Sequence, residues 1–574
     1  VSTTALTRDS RQSALARMAE EELDILVVGG GVTGAGIALD AATRGLKTGI
    51  VEMRDWSAGT SQWSSKLVHG GLRYLYQLDF ALVAEALRER GTLLTTTAPH
   101  LVSAQPFLWP LKQRVIERAY SAVGVGMYDA LAKIGGGRVP VQKHYGHKGA
   151  LELVPSLDPE SLIGGIRFYD ARVDDSRLVI DLVRTAQGYG ALAAPRTQAT
   201  SFITEGDAVV GAILKDLETG EEITVRAKHV IGATGVWTEE TQQLGDSEGG
   251  LEVLASKGIH IVVPKDRIEG KTGVFLRTEK SVLFIIPWER YWVIGTTDTA
   301  WHEQRDAPVA TSEDIDYVLE QANSVLADKL TRDDIIGTFA GLRPLLQPGT
   351  KSEDESTKVS REHTVTSPQP GLTVIAGGKL TTYRQMAEDA VDHVLGSAAK
   401  SNPSVTASIP LVGAVGYEAG RRRLPVLSQQ YRLSETVIKH LFSRYGTETP
   451  DVLALIDADP SLGRPIEHAP DYLRAEAVFA VTHEGALHLE DVLLHRIRLD
   501  FEQPDRGSAA APEIAEIMGG LLGWDDETRQ AEVANWVAQA DAILAAQETR
   551  SDSEASQLRT KAEEIVPVEH LNIV

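Results

Sequence analysis

Gly29-Gly30-Gly31-Val32-Thr33-Gly34 satisfies the spacing G-x-G-x-x-G, and an acidic residue, Glu52, follows 21 positions after Gly31. Each part has a physical use. Gly29 permits a tight turn, Gly31 lets the backbone approach a pyrophosphate, and Gly34 allows a helix to pack on the preceding strand. Unpaired N–H donors and the positive dipole end at the helix start suit phosphate. Glu52 can accept hydrogen bonds from ribose hydroxyls and would repel a 2′-phosphate. A purely structural glycine turn is the alternative, and context decides between them. A second stretch, Ser64-Ser65-Lys66-Leu67-Val68-His69-Gly70-Gly71-Leu72-Arg73-Tyr74-Leu75, is unusually dense in polar functional groups.

The elements that must hold these residues follow from periodicity. Asp24 to Val28 is a short apolar strand running into the glycines. Ile37, Ala38, Ala41 and Ala42 recur at helical spacing, and Lys47 to Val51 gives the next strand, ending at Glu52. The unit 24–52 is therefore a βαβ motif. Short strands and helices alternate from there to about residue 395. Ser397 to Ser408, with Asn402-Pro403, reads as a linker. Beyond it, helical stretches such as Leu473 to Arg498 and Asp525 to Ala546 dominate. The division expected is a polar segment over 1–23, a cofactor and substrate region over 24–398 with cap parts near 100–165 and 250–335, and a helical domain over 405–574. The charged run Gln547 to Glu564 is expected to be loose at the end.

Composition narrows the function. The chain has 574 residues, 43% of them hydrophobic and 24% charged, a globular composition too long for one core. It contains no cysteine, which excludes disulfides, thiol nucleophiles and cysteine-held metal or flavin. A formal charge of -23 argues against a broad nucleic-acid surface. Residues 1–23 show no apolar signal region, and no run of 18 apolar residues occurs, so a cytoplasmic protein without a membrane span is expected.

Two further glycine turns bear on the dinucleotide. Lys228 to Trp237 is a strand entering Ala233-Thr234-Gly235, similar to a turn near FAD in oxidoreductases of the glutathione-reductase-like superfamily. Val374-Ile375-Ala376-Gly377-Gly378-Lys379 precedes a helical pattern from Thr381 to Leu395, whose N-terminus can face a flavin and favour negative charge on it. A site assembled from such distant segments favours FAD. Each later turn read alone is equally well an ordinary loop.

The stretch Ser64 to Leu75 resembles the S-S-K-hydrophobic-hydrophobic-H-G-G-L-R-Y-L signature of FAD-dependent glycerol-3-phosphate dehydrogenases. Gly258 to Pro264, Ile294 to Asp298, Gly341 to Pro344 and Gly378 to Arg384 are similar to the family's later motifs, in its order, across roughly 24–390. Around Arg474 to Val478 and Asp491 to Leu494 the likeness is looser, because His495-Arg496 stands where the family usually has two arginines. The resemblance implies an α/β fold: a Rossmann-like FAD-binding domain interleaved with a mixed-sheet substrate domain, followed by a helical C-terminal domain.

It also implies roles. Ser64, Ser65, Lys66, His69, Gly70, Gly71, Gly378, Lys379, Leu380 and Thr381 would join Gly29, Gly31, Gly34, Glu52, Ala233, Thr234 and Gly235 around FAD. A phosphate dianion needs multi-donor cations, which assigns Arg73 and Arg343 to it, with Tyr74 as a neutral donor. His260, which interrupts an apolar strand, is the first choice of base, and His69 competes. Lys379 would favour the developing alkoxide, and Asp298 would orient the base or a water. The expected reaction converts glycerol 3-phosphate to dihydroxyacetone phosphate by hydride transfer to flavin N5, with quinone as acceptor. Oxygen as acceptor, an amino-acid oxidase and a flavin scaffold without turnover are the alternatives. Relatives with oxidase activity carry an inserted segment that is not evident here.

A quinone acceptor calls for docking on the inner face of the plasma membrane. Pro106 to Ile134 carries Leu111, Val115, Ile116, Tyr120 and Met127 with Lys112, Arg114, Arg118 and Lys133. Such a basic amphipathic stretch suits adsorption to anionic lipid. Packing of a cap helix onto the protein is the commoner fate of an apolar stripe. A homodimer is the family's expectation.

Overall fold

The computed structural model describes residues 4–71, 80–112, 126, 139–245, 250–278, 282–346 and 363–569. Arg73, Tyr74 and most of the basic stretch expected to meet the membrane lie outside them.

Two sheets frame the molecule. In the first, Leu372–Gly377, Glu222–Gly232, Leu23–Val28, Thr48–Val51 and Leu192–Ala194 lie side by side in parallel. Such strands are covered on both faces, which is why Leu23–Val28 reads as a nearly unbroken apolar run. The helices Val32–Thr43, Asp175–Gly188 and Tyr383–Leu395 cover one face and share one apolar cluster. On the other face lie the helix Arg8–Glu20 and the hairpin Thr197–Glu205/Ala208–Asp216. Val28 is aligned with Val51 and Gly232, and Gly232 with Val374, so the strand ends that carry the glycine turns share one edge.

The second sheet is mixed. At its heart Val253–Pro264 runs antiparallel to Gly337–Leu346, pairing His260 with Phe339 and Ser256 with Arg343. Because side chains alternate across a strand, Ile259, Ile261 and Val263 enter an apolar core. Ser256, Gly258 and His260 share the opposite face, toward the first sheet.

Three expectations change. The polar segment expected over 1–23 is not merely polar: Arg8–Glu20 is a helix whose Arg11, Ala14, Leu15 and Met18 are buried. Arg11 pairs with Asp216 at 2.5 Å, so an arginine occupies a core position and hides the helical stripe. The stretch Leu473 to Arg498 is not one helix. Arg474–Thr482 ends at His483, and Gly485 takes φ +71°, which turns the chain before a wide turn over Asp491–Arg496. The charged end is docked rather than loose: Asp552–Arg559 is helical, and Asp552 pairs with the buried Lys257, which also holds Asp314 at 2.5 Å. A buried ammonium needs such carboxylates.

Candidate active site

Between the sheets lies a cavity of about 1230 Å³, larger than the roughly 300–1,000 Å³ of ordinary small-molecule sites. The glycine turns build one end. Gly29 has φ +114°, and a Cβ there would stand 2.5 Å from the Ala233 carbonyl oxygen. A Cβ on Gly34 would overlap the Gly29 carbonyl, so Gly34 serves packing and stays behind the wall. Gly31 faces the cavity with the Ser61 hydroxyl opposite, and Ser61 Oγ accepts the Val32 N–H at 2.9 Å. Glu52 accepts from the N–H groups of Gly30 (2.7 Å) and Arg54 (2.9 Å), and burial pushes its pKa up. A backbone with no room for Cβ at the turn, N–H donors at a helix start and a carboxylate beyond them fit a dinucleotide.

Ala233, Thr234 and Gly235 line the adjoining wall, as do Gly378, Lys379, Leu380 and Thr381. Gly378 has φ +81°, and a Cβ there would strike Met386. Thr381 Oγ1 accepts the His69 N–H at 3.0 Å, which ties the signature loop to the start of the helix Tyr383–Leu395. His69 and Gly71 reach the cavity. Gly70 does not, and its N–H points to the Asp170 carboxylate at 3.4 Å.

The second sheet supplies the other end. His260 is 2% exposed, and its Nε2 shares a hydrogen bond of 2.9 Å with Ser65 Oγ. The ring stacks on Phe339, with centroids 4.7 Å apart and planes 14° off parallel. Its Nδ1 is buried with no hydrogen-bond partner among the described residues. Burial, then the positive charges of Arg343 and Lys66, hold its pKa well below the usual histidine range, so the imidazole is neutral at pH 7. Gly295 is aligned with His260 on the next strand, and a Cβ there would overlap the imidazole.

Arg343 presents its guanidinium across Gly258, where a Cβ would clash with it. It donates to Thr296 Oγ1 (3.1 Å), the Thr297 carbonyl (3.0 Å) and Asp298 (3.3 Å). Asp298 also accepts from Ser256 and makes no hydrogen bond to His260. It therefore orients the arginine, not the base.

Lys66 needs a correction as well. Its ammonium turns away from the cavity to Asp175 (2.8 Å) and the Gln62 carbonyl (2.8 Å). The reason is charge pairing in the interior: Asp175 is buried, its pKa is raised to about 6, and Ser64 also donates to it at 2.6 Å. Lys66 thus fixes the loop from below, about 5.1 Å from the Phe339 ring centre. Breaking such a buried pair on one side typically costs about 3–5 kcal/mol. Lys66→Met is accordingly expected to lower the thermal midpoint sharply, as read by calorimetry on the flavin-loaded protein. Phe339, Ser61 and Arg54 lie outside the motifs, and Thr296 sits within Ile294 to Asp298 without a role that its segment alone reveals, because pairing between distant strands brings Phe339 and Thr296 to the site.

Residues 24–384 match the family model described as FAD dependent oxidoreductase, and 404–529 match the C-terminal domain of alpha-glycerophosphate oxidase. Glycerol-3-phosphate dehydrogenase 2 of Mycobacterium tuberculosis is 49% identical over 561 residues, covering 98% of this chain and 95% of that protein. The chain belongs to the FAD-dependent glycerol-3-phosphate dehydrogenase family. The mitochondrial glycerol-3-phosphate dehydrogenase of Homo sapiens is 35% identical, over 89% of this chain and 72% of that one. The FAD complex of the Bacillus halodurans glycerol-3-phosphate dehydrogenase superposes with a TM-score of 0.76 at 30% identity, covering 93% of this chain and 98% of that one. FAD is therefore the cofactor of this glycerol-3-phosphate dehydrogenase family member. No helix among the described residues is long and apolar enough to cross a membrane.

Proposed function

We propose that this enzyme oxidises sn-glycerol 3-phosphate to dihydroxyacetone phosphate and passes the electrons to a membrane quinone. One observation carries the reading: a neutral, buried histidine and an arginine, on neighbouring strands, share one face of the second sheet beside the FAD cradle. Gly258, over which the guanidinium lies, is two residues from His260. At roughly 3.4 Å per residue that separation is about 7 Å along the strand, which sets both groups against one small phosphomonoester.

In this reading Arg343 binds the phosphate, with Arg73 and Tyr74 as further donors, and Asp298 keeps the guanidinium oriented. His260 takes the hydroxyl proton from the alcohol, with the Ser65 hydroxyl beside it. Lys379 favours the alkoxide as charge develops. FAD supplies the two-electron acceptor, taking the hydride at N5. The quinone assignment rests on near-full-length likeness to proteins named dehydrogenases. The enzyme then docks peripherally on the bilayer through the basic residues of 112–134, because Pro106 to Leu111, expected to share that surface, belong to the strand Val102–Leu111 with Leu111 in the core, and it works as a homodimer.

Anaerobic titration with sn-glycerol 3-phosphate, followed at the flavin's visible band, tests this. Bleaching at one substrate per flavin is expected, with reoxidation faster by a soluble quinone than by oxygen. A protein that stays yellow would reject the substrate, and stoichiometric peroxide in air would reject the acceptor.

A further inference from the structure

The glycine cradle and Glu52 account for the pyrophosphate and one ribose, leaving the adenine end of the cavity to be closed. Thr197 N–H donates to the Glu52 carbonyl at 2.8 Å, which places Gln198 beside the ribose carboxylate, on the side away from the glycines. Ala199, Leu244 and Val568 line this part of the wall. Val568 belongs to the last described segment of the chain, residues 563–569, which crosses here with Val566 buried.

Its attachment is specific. The Gln198 side-chain amide donates to the Glu569 carbonyl at 2.7 Å, and its oxygen accepts the Glu569 N–H at 2.9 Å. This reciprocal pair fixes the segment's register as a strand partner would, and Gln198 is buried to do it. The Glu569 carboxylate meets Lys215. At the segment's other end Arg54, two residues beyond Glu52, grips Glu564 at 2.9 Å and reaches Asp306 at 3.4 Å. Asp306 belongs to a loop that also lines the cavity, so one guanidinium joins both walls over the ribose. The segment lies beyond 529, where the match to the C-terminal family model ends.

We propose that residues 563–569 are a strap over the adenosine end of the FAD site and set how firmly the dinucleotide is retained. The strap gives adenine an apolar wall in Val568 and holds the Gln198 amide in place at its edge. Contacts of this kind are made with the adenosine half alone. This inference rests on the FAD cradle and not on the substrate, so bleaching by glycerol 3-phosphate and retention of FAD can fail independently.

Three proteins decide it: the full chain, a chain ending at Ala562, and full-length Gln198→Ala. Each is stripped of flavin and titrated by fluorescence with FAD, ADP and FMN, and FAD release is timed after dilution. Losing the strap is expected to weaken FAD and ADP about tenfold or more, the effect of one neutral hydrogen bond and an apolar contact together, and to speed FAD release as much. FMN, which lacks adenosine, should bind the full and shortened chains alike. Gln198→Ala should reproduce much of the loss, and adding it to the shortened chain should change little more, since both act through one contact. FAD affinity unchanged on shortening would overturn the proposal. So would equal losses for FAD and FMN, which would mark the segment as a general support of the fold.

Discussion

With His260 replaced by alanine, reduction of the bound flavin by substrate falls by about 10²–10⁴-fold, the usual worth of a positioned base, while the flavin stays bound. Stopped-flow anaerobic reduction measures this directly. His260→Asn should do as badly, since an amide can keep a hydrogen bond to Ser65 but cannot take the proton. Partial recovery of the alanine protein by added imidazole would tie the loss to proton acceptance rather than to a gap beside Phe339. The pH profile carries an independent sign. Burial and the charges of Arg343 and Lys66 lower the His260 pKa well below 6.5. The ring is thus proton-free and competent at neutral pH, and the rate declines only as pH falls through that lowered value. The acid limb of kcat/KM, which reports the free enzyme, should accordingly lie below pH 6.5, and Lys66→Met, by removing one positive charge, should move it upward. Full activity in His260→Asn would pass the role to His69.

What made this site legible was local. Gly29, Gly31 and Gly34 announce the turn by their spacing within a strand–turn–helix unit; Gly34 has no room for a Cβ against the Gly29 carbonyl of that same unit, Gly29 has none against Ala233, and Gly31 faces the Ser61 hydroxyl. His260 stood out because a titratable ring broke an apolar run, and strand alternation explains the break: its apolar neighbours face a core and His260 faces the cavity. Phe339 was not legible, nor was the contact of Thr296, inside its motif, with Arg343. Their part depends on Val253–Pro264 pairing with Gly337–Leu346 and on the neighbouring strand Tyr291–Gly295, a register no single segment specifies. Lys66 was misplaced for a related reason. Its partner Asp175 lies 109 residues away, and only the fold reveals that the ammonium is consumed there. The helix Arg8–Glu20 hid because Arg11 fills a core position against Asp216, and a residue type that is almost never buried unpaired defeats hydrophobic periodicity.

Arg343→Ala should cost most for the phosphorylated substrate and little for glycerol. Hydrogen bonds to charged groups are worth about 1.5–3 kcal/mol each, so losing a two-pronged grip on phosphate should lower kcat/KM by about 10²–10⁴-fold at 1.4 kcal/mol per tenfold. The loss should sit mainly in KM, because the phosphate is held alike before and during hydride loss. The side chain is partly exposed at the cavity rim, so the fold should tolerate its removal. Asp298 would then face the phosphate with only Ser256 to offset its charge, which adds repulsion to the lost attraction. Asp298→Asn in the alanine background should therefore recover part of KM, whereas in the parent it should loosen Arg343 and raise KM modestly. Arg343→Lys should restore charge without the planar fork and fall between the two. Glycerol, which carries no phosphate, should be oxidised equally slowly by parent and Arg343→Ala. An equal loss for both substrates would place Arg343 at the reacting carbon and leave the phosphate to Arg73.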